Sequence, residues 1–231
     1  MQADERVKRV GRGLLWLSVA ALVLGALPLY AISLYNHPYY DDYGFSAKAH
    51  QAWRDTGSVG AVLRAAWESA LETRQSWQGT YTGTLLSNVQ PGIFSERLYF
   101  IGTFVLLTAF IACFLYFFAV VFGRLGMDRT GRWTLGCLAV TLMIQFMPDA
   151  GEAFFWFNGG IGNTFVYSLM ALAAALMVRL AEAKGRAVGL TAALCLLMVL
   201  LGGGSYGGGL FSVCMLAVCL VWMLRVRHPR R

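Results

Sequence analysis

The adjacent carboxylates Asp41 and Asp42 are the residues of this sequence best suited to chemistry, because they follow directly on the first long apolar run. Like charges this close to a low-dielectric boundary favour protonation of one of them, which would make the pair a proton acceptor or a cation ligand. The alternative is an aromatic belt at a membrane interface, with one of the two aspartates capping the next helix. The aromatic residues around the pair are Tyr39, Tyr40, Tyr43 and Phe45.

Polar and aromatic side chains occur together at three further places, namely the loop after the Asp pair, residues 149–163 and residues 202–209. Carboxylates and amides that hydrogen-bond hydroxyl groups, together with flat rings that stack on C–H faces, are what a carbohydrate site requires. The alternative is an aromatic girdle with incidental polar residues. The candidate substrate-binding residues at these places are Trp77, Tyr81, Glu152, Trp156, Asn158 and Tyr206.

The sequence also contains candidate residues for binding a phosphate and for binding a divalent cation. Arg74 and Arg97 lie near the ends of the structured part of the loop, where an arginine can hold a phosphate bidentately. The alternative for both is a surface salt bridge or a contact with a lipid headgroup. The Asp pair could hold Mg²⁺ or Mn²⁺, which prefer oxygen ligands, whereas the cysteines and histidines show no metal-ligand spacing.

Composition places these residues in a membrane protein. Apolar residues make up 58% of the 231 residues and charged residues 13%, against roughly 45–50% and about 25% in soluble domains. We predict a single all-α transmembrane domain, residues 1–231, whose first run is an uncleaved signal anchor with a basic lead. The six predicted spans are 14–35, 98–122, 133–148, 164–180, 187–203 and 207–224.

The distribution of basic residues predicts the orientation. If the N-terminus is cytoplasmic, four inside segments hold 14 of the 19 lysines and arginines, as the positive-inside rule requires. Both termini are then cytoplasmic, and the Asp pair lies on the external face. The net charge of +7 reflects topology and anionic lipid, and it does not indicate nucleic-acid binding. The inside segments are 1–13, 123–132, 179–186 and 225–231.

Residues 36–97 form a long external loop that we predict to contain helices. A short helix over Ser46–Asp55 ends at a break at Gly57-Ser58, and an amphipathic helix follows that would lie along the outer membrane surface. Residues 202–209 contain six glycines, which fit a tight helical hairpin, a broken helix that faces a cavity, or a close packing surface. The apolar face of the amphipathic helix consists of Val59, Val62, Leu63, Ala66, Trp67, Ala70 and Leu71.

Three motifs taken together resemble the GT-C superfamily of integral-membrane glycosyltransferases, in a bacterial branch similar to glucosyltransferases that decorate surface polysaccharide. They are Tyr39-Tyr40-Asp41-Asp42-Tyr43, Trp77-Gln78-Gly79-Thr80-Tyr81 and Glu152-Ala153-Phe154-Phe155-Trp156-Phe157-Asn158-Gly159. Members of the superfamily usually have more than six spans and often a soluble C-terminal domain. Relative to that superfamily, we expect the chain to be a fragment, a minimal form or a degenerate non-catalytic relative.

The resemblance implies an inverting transfer of a sugar from a polyprenyl-phosphate donor to a cell-envelope glycan acceptor, at the external face of a bacterial inner membrane. Asp41 or Asp42 would be the catalytic base, Arg74 would stabilise the leaving phosphate, and Glu152 would hydrogen-bond the sugar or the acceptor. Two alternatives stay open: a non-catalytic membrane protein that binds lipid-linked glycan or a partner, and a transporter or flippase that uses residues 202–209 as a discontinuous helix. The spans hold few ionisable residues, which disfavours an ion-coupled transporter.

Overall fold

The computed structural model describes residues 2–183, 185 and 187–227, and this part of the chain is 84% helical and contains no strand. The all-α prediction is confirmed. Short 3₁₀ turns cover Pro91–Ile93 and Glu96–Leu98, and π-helical turns cover Gly151–Phe155 and Ile161–Phe165. The α-helices are, in chain order, α1 (Gln2–Ser33), α2 (Asp42–Thr56), α3 (Val59–Ser76), α4 (Tyr81–Asn88), α5 (Phe100–Arg124), α6 (Arg129–Gln145), α7 (Phe157–Gly160), α8 (Val166–Glu182), α9 (Val188–Gly202) and α10 (Tyr206–Arg227).

Four stretches of helix in the described chain are long and apolar enough to cross a membrane, so the protein is a membrane protein. Two other predicted spans coincide with α6 and α9, which have only 17 and 15 residues. Helix α6 packs along α1 and α5, and α9 packs along α8 and α10. The four long stretches are Glu5–Ser33, Glu96–Arg124, Phe157–Glu182 and Tyr206–Arg225.

The loop between α1 and α5 is folded as predicted, with two corrections. The break between its helices lies at Gly57, whose φ of 61° suits glycine, and at Ser58, whose hydroxyl caps α3. Helix α2 begins at Asp42, four residues before the predicted start at Ser46. The apolar face of α3 is split, because α2 and α4 cover only one row of it. Val62, Ala66 and Ala70 are buried, whereas Val59, Leu63, Trp67 and Leu71 are exposed.

The segment from Gly151 to Phe165 is helical rather than a simple loop, with α7 between two π-helical turns. Such turns widen a helix locally and often occur at functional sites. Phe154 and Phe157 anchor the segment in the core, where Phe154 packs against α5 and α6 and Phe157 packs against Tyr99 and Leu106. The polar residues of the segment are thereby held next to the start of α5.

Glycines permit a close backbone contact between the loop that joins α1 to α5 and the last two helices. The amide of Gly83 in α4 donates to the carbonyl of Gly203 at 2.9 Å, in the turn that joins α9 to α10. The ring of Tyr81 lies against Gly203, and Val166 of α8 lies against Gly204. Residues 202–209 therefore combine two of the predicted alternatives, a tight helical hairpin and a close packing surface.

We predict that Gly83→Ala destabilises the protein, because the added Cβ would lie 2.5 Å from the backbone oxygen of Gly204. Overpacking of this kind costs about 1–3 kcal/mol. Gly44→Ala is the matched control, since Gly44 is a helical, exposed glycine with open space around it. Denaturant titration in detergent micelles should show a loss of stability for Gly83→Ala alone, and equal stability of the two variants would contradict the close contact.

Candidate functional site

The buried carboxylate of Asp42 joins three segments of the chain. Its Oδ2 accepts a hydrogen bond from the Tyr39 amide at 3.1 Å and a short one from the Tyr99 hydroxyl. Its Oδ1 accepts from the Asn158 amide at 3.0 Å. The side chain is 1% exposed, so these donors replace water around the charge. Asp42 thus holds the start of α2 against the start of α5 and against α7.

The hydroxyl of Tyr99 extends this network. It accepts from the Phe157 amide at 2.9 Å, and it has one hydrogen to share between Asp42 and the carbonyl of Phe155 at 3.2 Å. The carboxylate is the closer and more strongly charged acceptor, so the hydrogen belongs to Asp42 for most of the time. Tyr99 is itself 1% exposed, which makes the network inaccessible to a ligand.

Burial raises the pKa of Asp42, because the charged form loses its hydration. The hydrogen bonds from Tyr99, Tyr39 and Asn158 act in the opposite direction, and the neighbouring charge of Asp41 raises the pKa slightly further. A carboxylate that is enclosed on all sides and accepts three hydrogen bonds has a structural role. Of the two aspartates, Asp42 is therefore the weaker candidate for the catalytic base.

Asp41 is the accessible member of the pair. It is half-buried, and its Oδ1 accepts from the indole Nε1 of Trp156 at 3.0 Å. Its side chain makes no capping bond to α2 although the residue occupies the N-cap position. Tyr40 precedes it with a φ of 53°, a left-handed conformation that is costly outside glycine and often found at functional sites. The edge of the Tyr40 ring also contacts Trp156, with centroids 5.7 Å apart.

Asp41 lines a cavity of about 180 Å³ that four elements of the fold enclose. Its walls come from the N-terminus of α2, the segment from α3 to α4, the π-helical segment and the turn between α9 and α10. Four of the predicted site residues, Asp41, Trp77, Asn158 and Tyr206, line this cavity together. The other lining residues are Phe45, Gln78, Thr80, Gly83, Thr84, Ser87, Gly162, Gly204 and Ser205.

The lining combines polar side chains with aromatic rings and glycines, and Asp41 is its one charged residue. Asn158 accepts a short hydrogen bond from Ser87 through its side-chain oxygen, so its amide nitrogen is left as a donor. The hydroxyls of Thr80 and Thr84 lie 3.5 Å apart. Acceptor, donor and hydroxyl groups beside exposed rings can hydrogen-bond a small polyol and stack on it. The volume is below the roughly 300–1,000 Å³ of pockets for drug-sized ligands, so the cavity suits one small polar group.

Contacts with neighbouring residues hold the rings of Trp77 and Tyr206 at the cavity. Trp77 stacks on Phe45 with centroids 6.1 Å apart and is 70% exposed, and the hydroxyl of Tyr206 accepts from the Gly79 amide at 3.1 Å. Tyr81 faces away from the lining, because its hydroxyl donates to the carbonyl of Val199 at 2.5 Å. Trp156 likewise acts through its bond to Asp41 rather than as a lining residue.

Like Asp42, Tyr81 and Trp156, the predicted residues Arg74 and Glu152 do not line the cavity. Both side chains are exposed, and neither makes a hydrogen bond or ion pair with any part of the chain that the structure describes. The Glu152 backbone is fixed by a bond from its amide to the Asp149 carboxylate at 3.0 Å. No arginine or lysine lines the cavity, so the cavity itself offers no basic partner for a phosphate.

Thr84 and Ser87 of α4 and Ser205 line the cavity, although the sequence analysis did not name them as site residues. Ser205 belongs to Gly203-Gly204-Ser205-Tyr206-Gly207, which fits the G-x-S-x-G pattern of serine hydrolases. That pattern needs a strand-to-helix turn, whereas here it joins two helices. The Ser205 hydroxyl accepts from the Gly208 amide at 3.2 Å and no histidine lines the cavity, so Ser205 is a lining residue and not a nucleophile.

The Asp pair does not fit a divalent-cation site. Three of its four carboxylate oxygens accept hydrogen bonds from N–H and O–H donors, which a cation at those oxygens would displace. Across the described residues, no group of three or more histidine, cysteine or acidic side chains is arranged to hold a metal ion. The polar groups of the cavity are therefore hydrogen-bonding groups rather than a set of metal ligands.

Comparison of the chain with protein families, curated proteins and solved structures gave no significant match. The class of protein that the fold defines is an all-α membrane protein, with a small cavity lined by polar and aromatic residues at one end of its helices.

We predict that Tyr99→Phe lowers the free energy of unfolding by about 1–3 kcal/mol, because it leaves the buried Phe157 amide without an acceptor and removes one of the two hydrogen bonds to Oδ2 of Asp42. Tyr167→Phe is the control, since the half-exposed Tyr167 hydroxyl makes no hydrogen bond to the described chain. Denaturant titration in micelles measures both variants. A Tyr99→Phe protein as stable as the control would show that the network carries little stability.

We predict that the stability of the wild type relative to Asp42→Asn falls as the pH rises from about 4, the ordinary carboxyl pKa. A raised folded-state pKa means that the unfolded chain releases the proton first, so increasing pH favours unfolding until the folded carboxyl has also ionised. The difference between the two thermal midpoints, measured from pH 4 to pH 8, should shrink. A difference that grows with pH would mean that the hydrogen bonds outweigh desolvation.

Proposed function

We propose that the protein is a membrane glycosyltransferase that transfers a sugar from a polyprenyl-phosphate donor to a cell-envelope acceptor. The observation that carries the proposal is the placement of Asp41, an accessible carboxylate at the edge of a cavity lined by hydroxyl, amide and aromatic side chains. These are the groups that bind a sugar, and Asp41 is the one carboxylate among them that can act as a general base. The resemblance to the GT-C superfamily supports the same function.

Asp41 acts as the general base in this proposal. It takes the proton of an acceptor hydroxyl while the oxygen forms a bond to the anomeric carbon of the donor. The bond between that carbon and the phosphate oxygen breaks on the opposite face, so the configuration inverts and the electron pair leaves with the polyprenyl phosphate. Trp156 fixes one carboxylate oxygen of Asp41 and leaves the other for the acceptor. Asp42 positions the backbone around it.

We propose six spans with both termini in the cytoplasm of a bacterial cell. The contacts around the cavity support the number of spans, and the distribution of basic residues supports the orientation. If all six helices cross the membrane, every second connection between them lies on the same face. That face then holds the end of α1, the start of α5, the end of α6, the start of α8 and the α9–α10 turn. Asn36, just after α1, donates to Thr103 in α5 at 3.1 Å and to the carbonyl of Phe155 at 2.7 Å. The Gly83 and Gly203 contact adds the α9–α10 turn to the same group.

The donor phosphate would bind outside the cavity. Arg74, in the last turn of α3 and three residues before Trp77, is the residue that the resemblance assigns to it. A second candidate function, recognition of a glycan without turnover, is favoured by the absence of arginine and lysine from the lining. In that case the cavity would bind a neutral sugar, and the protein would be a non-catalytic subunit.

We predict that Asp41→Asn lowers the rate of sugar transfer at least about 100-fold, the typical contribution of a general base. The measurement is transfer of labelled sugar from a polyprenyl-phosphate donor to envelope glycan in isolated membranes. Asp55→Asn, at an exposed carboxylate bonded to Gln51, is the control and should retain the wild-type rate. Unchanged transfer by a well-expressed Asp41→Asn protein would refute the proposed base.

Binding measurements on the same proteins separate the two candidate functions. Saturable binding of the labelled donor by the wild type, with no transfer to any envelope fraction, would identify the glycan-binding alternative. Arg74→Gln would then bind the donor as well as the wild type does, because the neutral sugar alone would be recognised. In the transferase, Arg74→Gln should lose donor affinity along with activity.

A further inference from the structure

A second cavity, of about 400 Å³, lies where the ends of α5 and α8 meet the start of α6. Its charged lining residues are Arg124 of α5, Arg132 of α6, and Arg179 and Glu182 of α8. Tyr116 and Trp133 add two partly buried aromatic rings. Three guanidinium groups and one carboxylate around a single cavity give it an excess of positive charge.

That excess is not neutralised within the described chain. Glu182 pairs with Arg124, with 2.8 Å between the carboxylate oxygen and the guanidinium nitrogen. Arg132 and Arg179 also line the cavity, and neither forms an ion pair with a described carboxylate. Like charges that converge without a counter-charge repel one another, and an anion between them would relieve the repulsion.

Arg132 has a hydrogen-bond donor that such an anion could satisfy. Its Nε is buried and has no hydrogen-bond partner in the described chain. The guanidinium lies against Gly123 of α5, where a Cβ would come within 3.0 Å of its Nη1. A buried donor without an acceptor is costly, and the edge of a guanidinium formed by Nε and Nη matches two oxygens of a phosphate.

The position of this cavity separates it from the Asp41 site. Helix α5 starts one residue after Tyr99 and ends at Arg124, and its 25 residues correspond to a length of about 37 Å. The two cavities therefore lie at opposite ends of a membrane-spanning helix. Tyrosine and tryptophan beside arginine are typical of the level at which lipid headgroups lie.

We propose that this cavity binds a phosphate group, held bidentately by Arg132 and further neutralised by Arg179. The phosphate can come from an anionic lipid headgroup or from a soluble phosphate, and both sources present the same oxygens. The proposal goes beyond the transferase function and does not depend on it, because none of the residues at the Asp41 site takes part.

The lipid arm of the test uses the full-length protein, purified and delipidated in detergent. Native mass spectrometry measures binding of phosphatidylglycerol and of diacylglycerol, which has the same chains without the phosphate. The wild type should bind phosphatidylglycerol at least about tenfold more tightly, the value of one charge-assisted contact, and Arg132→Gln should lose that preference. Arg129→Gln, at an exposed arginine of the same helix that does not line the cavity, should keep the wild-type affinity to within about twofold.

The soluble arm measures the thermal midpoint in inorganic phosphate against chloride at equal ionic strength. If phosphate raises the thermal midpoint of the wild type but not that of Arg132→Gln, the result supports a soluble source. If the wild type prefers phosphatidylglycerol and phosphate does not raise its thermal midpoint, the result supports the lipid. If neither anion distinguishes the wild type from Arg132→Gln, or if Arg129→Gln loses as much affinity, the proposal is overturned. Arg179→Gln takes the place of Arg132→Gln if the latter does not fold, and Arg132→Lys tests whether bidentate geometry is needed beyond charge.

Discussion

The buried charge of Asp42 is the constraint on which the candidate site depends. An isolated carboxylate at 1% exposure would be prohibitively costly, and it is tolerated because three donors from three segments converge on it. Those donors fix the start of α2, the start of α5 and α7 relative to one another. Asp41, one residue earlier, is thereby placed at the cavity edge with Trp156 beside it. Asp41 keeps its position at the cavity edge because the hydrogen bonds to Asp42 fix the adjacent backbone.

The two aspartates show how far sequence reasoning can go. Their neighbourhood identified them as a pair with chemical potential, but assigning different roles to them required partners that lie 57 and 116 residues away from Asp42. Long-range contacts of this kind leave no periodicity in the sequence. The same limit applies to Arg74 and Glu152, since an exposed charged residue close to a site in sequence need not line that site.

Local patterns predicted the secondary structure well and the packing less well. The break at Gly57 and the amphipathic character of α3 follow from turn chemistry and helical spacing, which depend on neighbouring residues. Which row of α3 is buried depends on how α2 and α4 approach it. Hydropathy identified α6 and α9 as spans. As helices they have only 17 and 15 residues, so the total of six spans stays a prediction.

The contact between Gly83 and the α9–α10 turn has a consequence for ligand selectivity. Three of the residues that line the small cavity are glycines, Gly83, Gly162 and Gly204, and they contribute main chain to its surface. Peptide groups are the same whatever the sequence, so these positions can change only by gaining a side chain and reducing the space. Diversification toward a different ligand would have to occur at lining residues with exchangeable side chains, such as Trp77 and Asn158. The cavity therefore combines fixed main-chain positions with adaptable side-chain positions.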